Sequence, residues 1–392
     1  MALPLSYSWR SLLARGTRTA FTVAVIALVV VAITLLWSLV GSLKRSMVAS
    51  GSPDNLIVMR KGANNDGSSQ LALEAVQAVR LFDGVAKDSE GNPIASPELV
   101  VQPFFKTLEG VRENVLVRGV EPMALQVHDE VHIKEGRMFH PSSSEAVVGR
   151  SVAGRYQGAQ IGSDLHFGHG VWKVVGVLES GGSSFESEVW VDARELANDA
   201  KRTLPYSGLR IRVAPGADMD ALARRIADDS RWALSASRET DYYQELASTG
   251  NTLLIVVVAV AVFAGIGAIF GAANTLYAAV QSRTSEIGTL RALGFSRGAI
   301  LSAFLAESVM TSMAGFVIGG AASAVGGYVI SHALGGIGMN SKTFSTSVVE
   351  LTVAPQDLVF PFALSIAIGL IGGFFPAWAA AKLRPVEALR KA

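Results

Sequence analysis

Four long runs with little or no charge govern what this chain can fold into. Ala20 to Gly41, Thr252 to Gln281 and Leu358 to Ala381 hold no charged residue, and Ile300 to Gly335 holds only Glu307. A helix needs roughly 20 apolar residues, at about 1.5 Å rise each, to cross the hydrocarbon of a bilayer. All four runs qualify, and the second and third are long enough to tilt or protrude. Half of the chain is hydrophobic (50%) and only 17% is charged, too apolar for an ordinary soluble protein. The first run exceeds the apolar core of about 7–15 residues in a cleaved signal peptide, and no convincing small-residue cleavage site follows Trp37. It reads as a retained anchor.

The basic residues orient the spans. Residues 1–19 carry Arg10, Arg15 and Arg18 without an acid, and 282–299 carry Arg283, Arg291 and Arg297 against Glu286. The tail, 382–392, carries Lys382, Arg384, Arg390 and Lys391 against Glu387. That excess puts these three segments, and both termini, on the cytoplasmic side. Residues 42–251 and 336–357 then lie outside. Residues 1–19 read as an amphipathic surface helix, with Leu5, Trp9, Leu12 and Leu13 toward lipid, or equally as a basic flank. A net charge of +1 argues against a nucleic-acid binder.

The fold class expected is membrane α-helical: four transmembrane helices, with a large α+β extracytoplasmic domain between helices 1 and 2. Within 42–251, Asn55–Arg60, Glu98–Gln102, Val115–Val120 and Val171–Val177 have strand patterns, and Gln70–Leu81 has helical periodicity. Leu209–Val213, Asp218–Asp229 and Trp232–Ala236 read as strand, helix and strand, with Pro215-Gly216 turning the chain between. Ser180–Glu188 (SGGSSFESE) reads as a flexible, solvated Gly/Ser loop or a contact for an outside partner. The membrane boundaries expected are 20–41, 252–281, 300–335 and 358–381. Gly315, Gly319, Ser323 and Gly327 recur every four residues on the third span, and Gly267 and Gly271 do so on the second. Such rows let helix backbones approach closely, within a subunit or across a dimer. Pro376, after Gly372-Gly373, is expected to bend the fourth span.

Between the second and third spans, residues 282–299 form a short charged helix. Glu286 and Arg291 flank Ile287, Leu290 and Leu293 at near-helical spacing, and Gly294 sits where the helix should stop. An apolar stripe on such a helix fits the groove of another protein, or lies on the lipid surface. Ser285-Glu286-Ile287-Gly288-Thr289-Leu290-Arg291-Ala292-Leu293-Gly294, then Ile300 and Phe304-Leu305-Ala306-Glu307-Ser308, resembles the signature of the MacB/FtsX-type ABC transporter permeases. Pro376-Ala377-Trp378-Ala379-Ala380-Ala381 and Arg384-Pro385-Val386-Glu387-Ala388-Leu389-Arg390 resemble that family's closing motif. The resemblance implies that Glu286, Ile287, Leu290, Arg291, Leu293 and Gly294 belong to a coupling helix that meets a cytoplasmic ABC ATPase. It also implies an external domain like that of MacB, with a membrane-proximal lobe built from both ends of 42–251 and a distal lobe over about 117–205.

Chemistry on the chain itself is not expected. His128-Asp129-Glu130-Val131-His132 has Asp where the zincin pattern needs Glu, and lies in a strand-like region. His166-Phe167-Gly168-His169 is no stronger as a metal signal, there is no cysteine, and no Ser sits in a G-x-S-x-G elbow. No metal site and no catalytic residue are predicted. No G-x-x-x-x-G-K-[ST] occurs, so ATP and Mg are expected on a separate ATPase subunit. Glu307, a carboxylate inside a span, is costly there and marks a functional position. It is expected to pair with Arg291 or another basic residue beside the coupling helix.

The resemblance thus implies a bacterial inner-membrane homodimer with two permeases and two ATPases, embedded in the lipid bilayer. Its external domain would move a lipid, lipoprotein, peptide or amphipathic drug, with a periplasmic adaptor and an outer-membrane channel as partners. The alternatives are an FtsX-like scaffold that activates a cell-wall hydrolase, and a LolC/LolE-like lipoprotein releaser.

Overall fold

A computed structural model of the chain describes residues 16–334, 336–340 and 346–384. Most of the predicted surface helix over 1–19 and of the tail over 382–392 therefore lies outside the described residues. Residues 1–41, 252–330 and 351–392 form one compact unit, and residues 42–251 with 331–350 form a second. The first long helix, α1, runs over Gly16–Val48.

The second unit is built on a ten-stranded mixed sheet. Strand β1 (Asn55–Arg60) is followed by helix α2 (Leu73–Arg80), whose Ala75, Val76 and Val79 are buried at helical spacing. Strands β2 (Ala95–Val101), β3 (Phe104–Lys106), β4 (Arg112–Asn114) and β5 (Leu116–Val120) come next. Then follow β6 (His132–Gly136), β7 (Glu145–Gly149), β8 (Asp164–Phe167), β9 (Gly170–Glu179) and β10 (Glu188–Asp192). Helix α3 (Ala193–Asp199) leads to β11 (Gly208–Arg212), α4 (Met219–Ala227), β12 (Leu234–Arg238) and α5 (Glu239–Ala247).

The order is β12-β1-β11-β2-β5-β10-β7-β9-β6, with β8 on β9 and β3–β4 a separate pair. Strands β11 and β12 both run antiparallel to β1, so the predicted strand–helix–strand pattern near residue 220 is a crossover that leaves room for β1 between its strands. Asp218 starts α4 by accepting from the amides of Asp220 and Ala221, both at 3.0 Å. Strand β2 pairs with β11 along Ala95–Glu98 and with β5 along Leu99–Val101, so one strand serves both halves of the sheet.

That strand also gathers a buried set of charges. Ser96, Glu98 and Val100 share one face of β2, Arg210 lies opposite Ser96, and Arg118 lies opposite Val100. Glu98 is therefore diagonal to both arginines. Arg118 Nη1 donates to Glu98 Oε2 at 2.7 Å, and its Nε and Nη2 clasp the two oxygens of Glu188, both at 2.6 Å. Arg210 donates to Glu98, to Glu239 Oε1 at 2.8 Å and to Asp66 Oδ2 at 3.3 Å. His128 Nε2 meets Glu98 Oε1 at 2.7 Å, with the ring against Phe185 and Trp190. All of these side chains are buried.

Burial alone would lower the His128 pKa. The charge of Glu98, its hydrogen bond to the ring and the Glu130 carboxylate 3.7 Å away outweigh that and hold it up at about 9. A histidine raised from 6.5 contributes stability fully below the lower value and loses it as pH climbs through about 9. By linkage the contribution is on the order of 3 kcal/mol. In detergent, the melting temperature of the native chain should fall between pH 7 and 10, and the His128→Asn variant should melt lower with a flatter profile. A native profile flat across that window would show that His128 is neutral in the fold.

Ser180–Glu188 is neither a solvated loop nor a surface for an outside partner. Ser180, Ser183, Ser184, Phe185, Glu186, Ser187 and Glu188 are all buried. The polar side chains are spent internally. Glu186 accepts from the amides of Ser180 (2.9 Å) and Gly182 (3.0 Å) and pairs with Arg150 at 3.1 Å. Ser184 Oγ lies 2.7 Å from Ser50 Oγ, just past the end of α1. Gly149 passes so close to this turn that a Cβ there would sit 2.1 Å from the Glu186 carbonyl oxygen.

In the bundle, α6 (Thr249–Ser282), α7 (Thr284–Ala292) and α8 (Arg297–Leu334) follow the sheet domain in sequence. Residues 336–357 hold an antiparallel pair of strands, β13 (Ile337–Asn340) and β14 (Thr346–Val349), and α9 (Val359–Lys382) follows. The pair belongs to the second unit, where Ser187 Oγ donates to the Val348 carbonyl (3.2 Å) and accepts from its amide (2.9 Å). Helices α1, α6, α8 and α9 are each long and apolar enough to cross a membrane.

Small residues set their packing. A Cβ on Gly315 would lie 2.7 Å from Ile26 Cγ2, and one on Gly319 would lie 2.7 Å from the Ala27 carbonyl oxygen. Ser323 is fully buried and donates back to the Gly319 carbonyl at 2.6 Å, while a Cβ on Gly327 would meet the Leu351 carbonyl at 3.1 Å. The row on α8 thus packs within the chain, the first two of its glycines against α1. The row on α6 does not: Gly267 and Gly271 have open space beside them. The close approach to α6 comes from α9, where a Cβ on Gly372 would lie 3.0 Å from the Ile269 carbonyl oxygen. Pro376 lies inside α9 and is buried.

Candidate functional site

The short helix α7 is fixed at both ends by its own residues. Arg283 occupies the N-cap position without a side-chain cap and instead donates from Nε to Glu286 Oε2 at 2.7 Å. Leu293 ends the helix and Gly294 follows at φ +93, a conformation glycine adopts without strain. Phe295 N then donates to the Leu290 carbonyl at 3.2 Å, and Arg291 Nη1 to the Phe295 carbonyl at 2.9 Å. Arg291 thus closes the C-terminal turn rather than reaching into the membrane.

The apolar positions divide between two directions. Ile287 is buried in a cluster with Leu276, Val280, Ile300, Phe304, Ala377 and Ala380. It fastens α7 to α6, α8 and α9 and is not part of an exposed docking stripe. Gly288 is also buried. Leu290 is half-buried, whereas Leu293 is 72% exposed. Burying a leucine is worth roughly 1.5–3 kcal/mol, and Leu293 does not realise that within the chain.

Glu307 on α8 is buried, with 8% of its side chain accessible, and its Oε2 lies 3.6 Å from Arg283 Nη1. Among the described residues the basic partner is Arg283, at the start of α7, and not Arg291. Arg283 serves Glu286 on its own helix and Glu307 on the next, so the ion pair ties α7 to α8 from the side opposite its C-terminal turn. Sequence spacing pointed to the helix and to Glu307 but could not choose between the arginines at 283 and 291, which lie at opposite ends of α7.

Residues 19–229 match the family described as the MacB-like periplasmic core domain, and residues 258–385 match the FtsX-like permease C-terminal family. The macrolide export ATP-binding/permease protein MacB of Bdellovibrio bacteriovorus is 29% identical over 301 residues, covering 71% of this chain and 44% of that protein. The pyoverdine export ATP-binding/permease protein PvdT of Pseudomonas syringae pv. tomato is 26% identical over 421 residues, covering 97% of this chain and 58% of that protein. MacB 1/2 of Paracoccus denitrificans is 33% identical over 234 residues, covering 56% and 32%. The chain spans about half the length of the curated relatives it matches.

Proposed function

The chain belongs to the MacB/FtsX-type ABC transporter permeases, and we propose that it is the membrane subunit that passes the motion of an ATPase to an external domain. The observation that carries this reading is the construction of α7. One face is bolted into the bundle by Ile287, the N-terminus is tied to Glu307 through Arg283, and Leu293 is left exposed. A helix held this way moves with the spans when something pushes on its free end.

On this reading the cytoplasmic side carries both termini and α7, and two copies of the chain meet two ATPase subunits that bind ATP and Mg. The work is done outside the membrane, on a hydrophobic or amphipathic substrate such as a lipid, lipoprotein, peptide or drug. Helices α1, α6 and α8 support it by length, with 33, 34 and 38 residues against the roughly 20 a span requires. A periplasmic adaptor and an outer-membrane channel are the partners an exporter of this kind would need. The match of residues 258–385 to the FtsX-like C-terminal family keeps a second reading in place, a scaffold that switches on a cell-wall hydrolase.

The test is co-purification of the tagged chain from mild detergent. A P-loop ATPase should accompany the native chain, and Leu290→Asp with Leu293→Asp should lose at least about 90% of it, since two buried carboxylates at a contact cost several kcal/mol. Membrane insertion should be unchanged. An adaptor or channel in the same fraction favours export, and a peptidoglycan hydrolase favours the scaffold. Undiminished recovery of the ATPase with the double variant would mean that α7 is not the docking element.

A further inference from the structure

Inside the bundle, α1, α6 and α8 line a cavity of about 50 Å³ that opens on one side. It lies at the end of the bundle where α7 begins, with Ser282 in its wall and Glu307 beside Arg283. That is room for a small polar head group, with the rest of a larger molecule leaving through the open side. Its lining is polar for a membrane interior, with hydroxyls from all three helices around the one carboxylate.

The direction of the hydrogen bonds gives the cavity its chemistry. A hydroxyl has one proton to donate and two lone pairs that accept. Thr275 donates to the Gly271 carbonyl (3.0 Å) and Ser282 to the Ala279 carbonyl (2.9 Å). Thr311 donates to the Glu307 carbonyl (2.9 Å) and Ser312 to the Ser308 carbonyl (3.0 Å). With those protons committed to their own helices, the four oxygens turn lone pairs toward a ligand, one of those on Thr275 being taken by the Thr22 hydroxyl at 2.7 Å. Beside them stands the carboxylate of Glu307, more than nine-tenths buried. The charge of Glu307 is shared with Arg283, so the preference comes from the acceptor-rich wall, which is complementary to a cation that carries several N–H donors. The apolar side chains of Ile26, Ala272, Leu276 and Ala279 line the remainder and suit a hydrocarbon body.

We propose that this cavity binds the protonated amine of an amphiphile, with the ammonium held between Glu307 and the hydroxyl oxygens of Thr275, Thr311 and Ser312. The ammonium joins Arg283 at the same carboxylate, so the site sits where α6 passes into α7, against α8. The amine could come from an aminophospholipid headgroup or from a free amphipathic amine; the chemistry recognised is the same. Binding at this site does not depend on an ATPase and is measured without one.

The experiment uses the full-length chain in phosphatidylcholine nanodiscs, with dodecylammonium as probe, dodecanol as its neutral match, and empty nanodiscs as background. Saturable binding of dodecylammonium, at least about tenfold tighter than dodecanol, is expected for a buried ion pair. Glu307→Gln should remove that preference. Thr311→Val and Ser312→Ala should each weaken the ammonium by about three- to tenfold while leaving dodecanol unaffected, and they keep the test alive if Glu307→Gln does not fold. Exchanging phosphatidylcholine for phosphatidylethanolamine separates the sources. Loss of probe affinity there identifies a lipid headgroup as the occupant, and unchanged affinity identifies a free amine. Equal binding of dodecylammonium and dodecanol by the native chain, or unaltered preference in the folded variants, overturns the proposal.

Discussion

Glu98→Gln should lower the melting temperature of the full-length chain by about 10 °C or more, the largest effect expected of so small a change. The substitution alters no volume. It removes the one carboxylate that Arg118, Arg210 and His128 share and places an amide, half donor, against three donors. Breaking a buried ionic group from one side costs about 3–5 kcal/mol, because the partners stay buried without compensation. For a domain of this size each kcal/mol is worth about 2–4 °C. Thermal unfolding in detergent, followed by tryptophan fluorescence, reads the change directly, since Trp172 and Trp190 are buried in the same domain. A shift under about 2 °C would mean that water or rearranged neighbours replace Glu98, against the near-zero exposure of the whole set.

Gly319→Leu should be as damaging to the bundle. The added Cβ would meet the Ala27 carbonyl oxygen at 2.7 Å and Val30 Cβ at 2.8 Å. A backbone carbonyl cannot step aside as a flexible side chain can, so α1 and α8 must separate. In lipid, close contact between helices is most of what holds them together, and overpacking costs upwards of about 1–3 kcal/mol. The yield of monodisperse protein after mild extraction should fall at least about fivefold. Gly267→Leu is the control: its Cβ would enter open space, and the yield should match the native chain. Equal damage from both would show that the α6 row is covered too, by a second copy of the chain.

The difference between these glycine rows shows where the sequence stops being legible. Gly267 and Gly271 have the same spacing as Gly315 and Gly319, and nothing local distinguishes them. Only the path of α1 and α9 across the bundle decides which row is covered. Glycine spacing records that a close approach is permitted, not that a partner is there. The four apolar runs and the strand–helix–strand near residue 220 were plain because hydrophobic periodicity is a local property.

The charged core was hidden for a related reason. Leu116-Val117-Arg118-Gly119-Val120 and Gly208-Leu209-Arg210-Ile211-Arg212 look like strands with one wet face, yet Arg118 and Arg210 are buried. Their partners come from residues 66, 98, 188 and 239, and no window of sequence contains more than one of these. Ser180–Glu188 misled in the same way. A polar, glycine-containing stretch satisfies itself equally well in water or around Ser50, Arg150 and Val348, and composition does not say which. At the candidate site, Leu293 and Glu307 were readable from spacing and cost, whereas the inward turn of Ile287 and the choice of Arg283 required the fold.

Strand β2 has a mechanical meaning beyond its pairing. Its first residues are bonded to β11 and its last to β5, with no break in the chain between them. Two lobes joined by a linker bend at the linker, and part of any displacement is lost there as heat. Two lobes that share one extended strand, with Glu98 cross-braced to an arginine on either side, have no such compliant joint. The sheet domain should therefore deform as a single elastic plate: a small tilt at the β1 edge reappears at β9 with little delay and little dissipation.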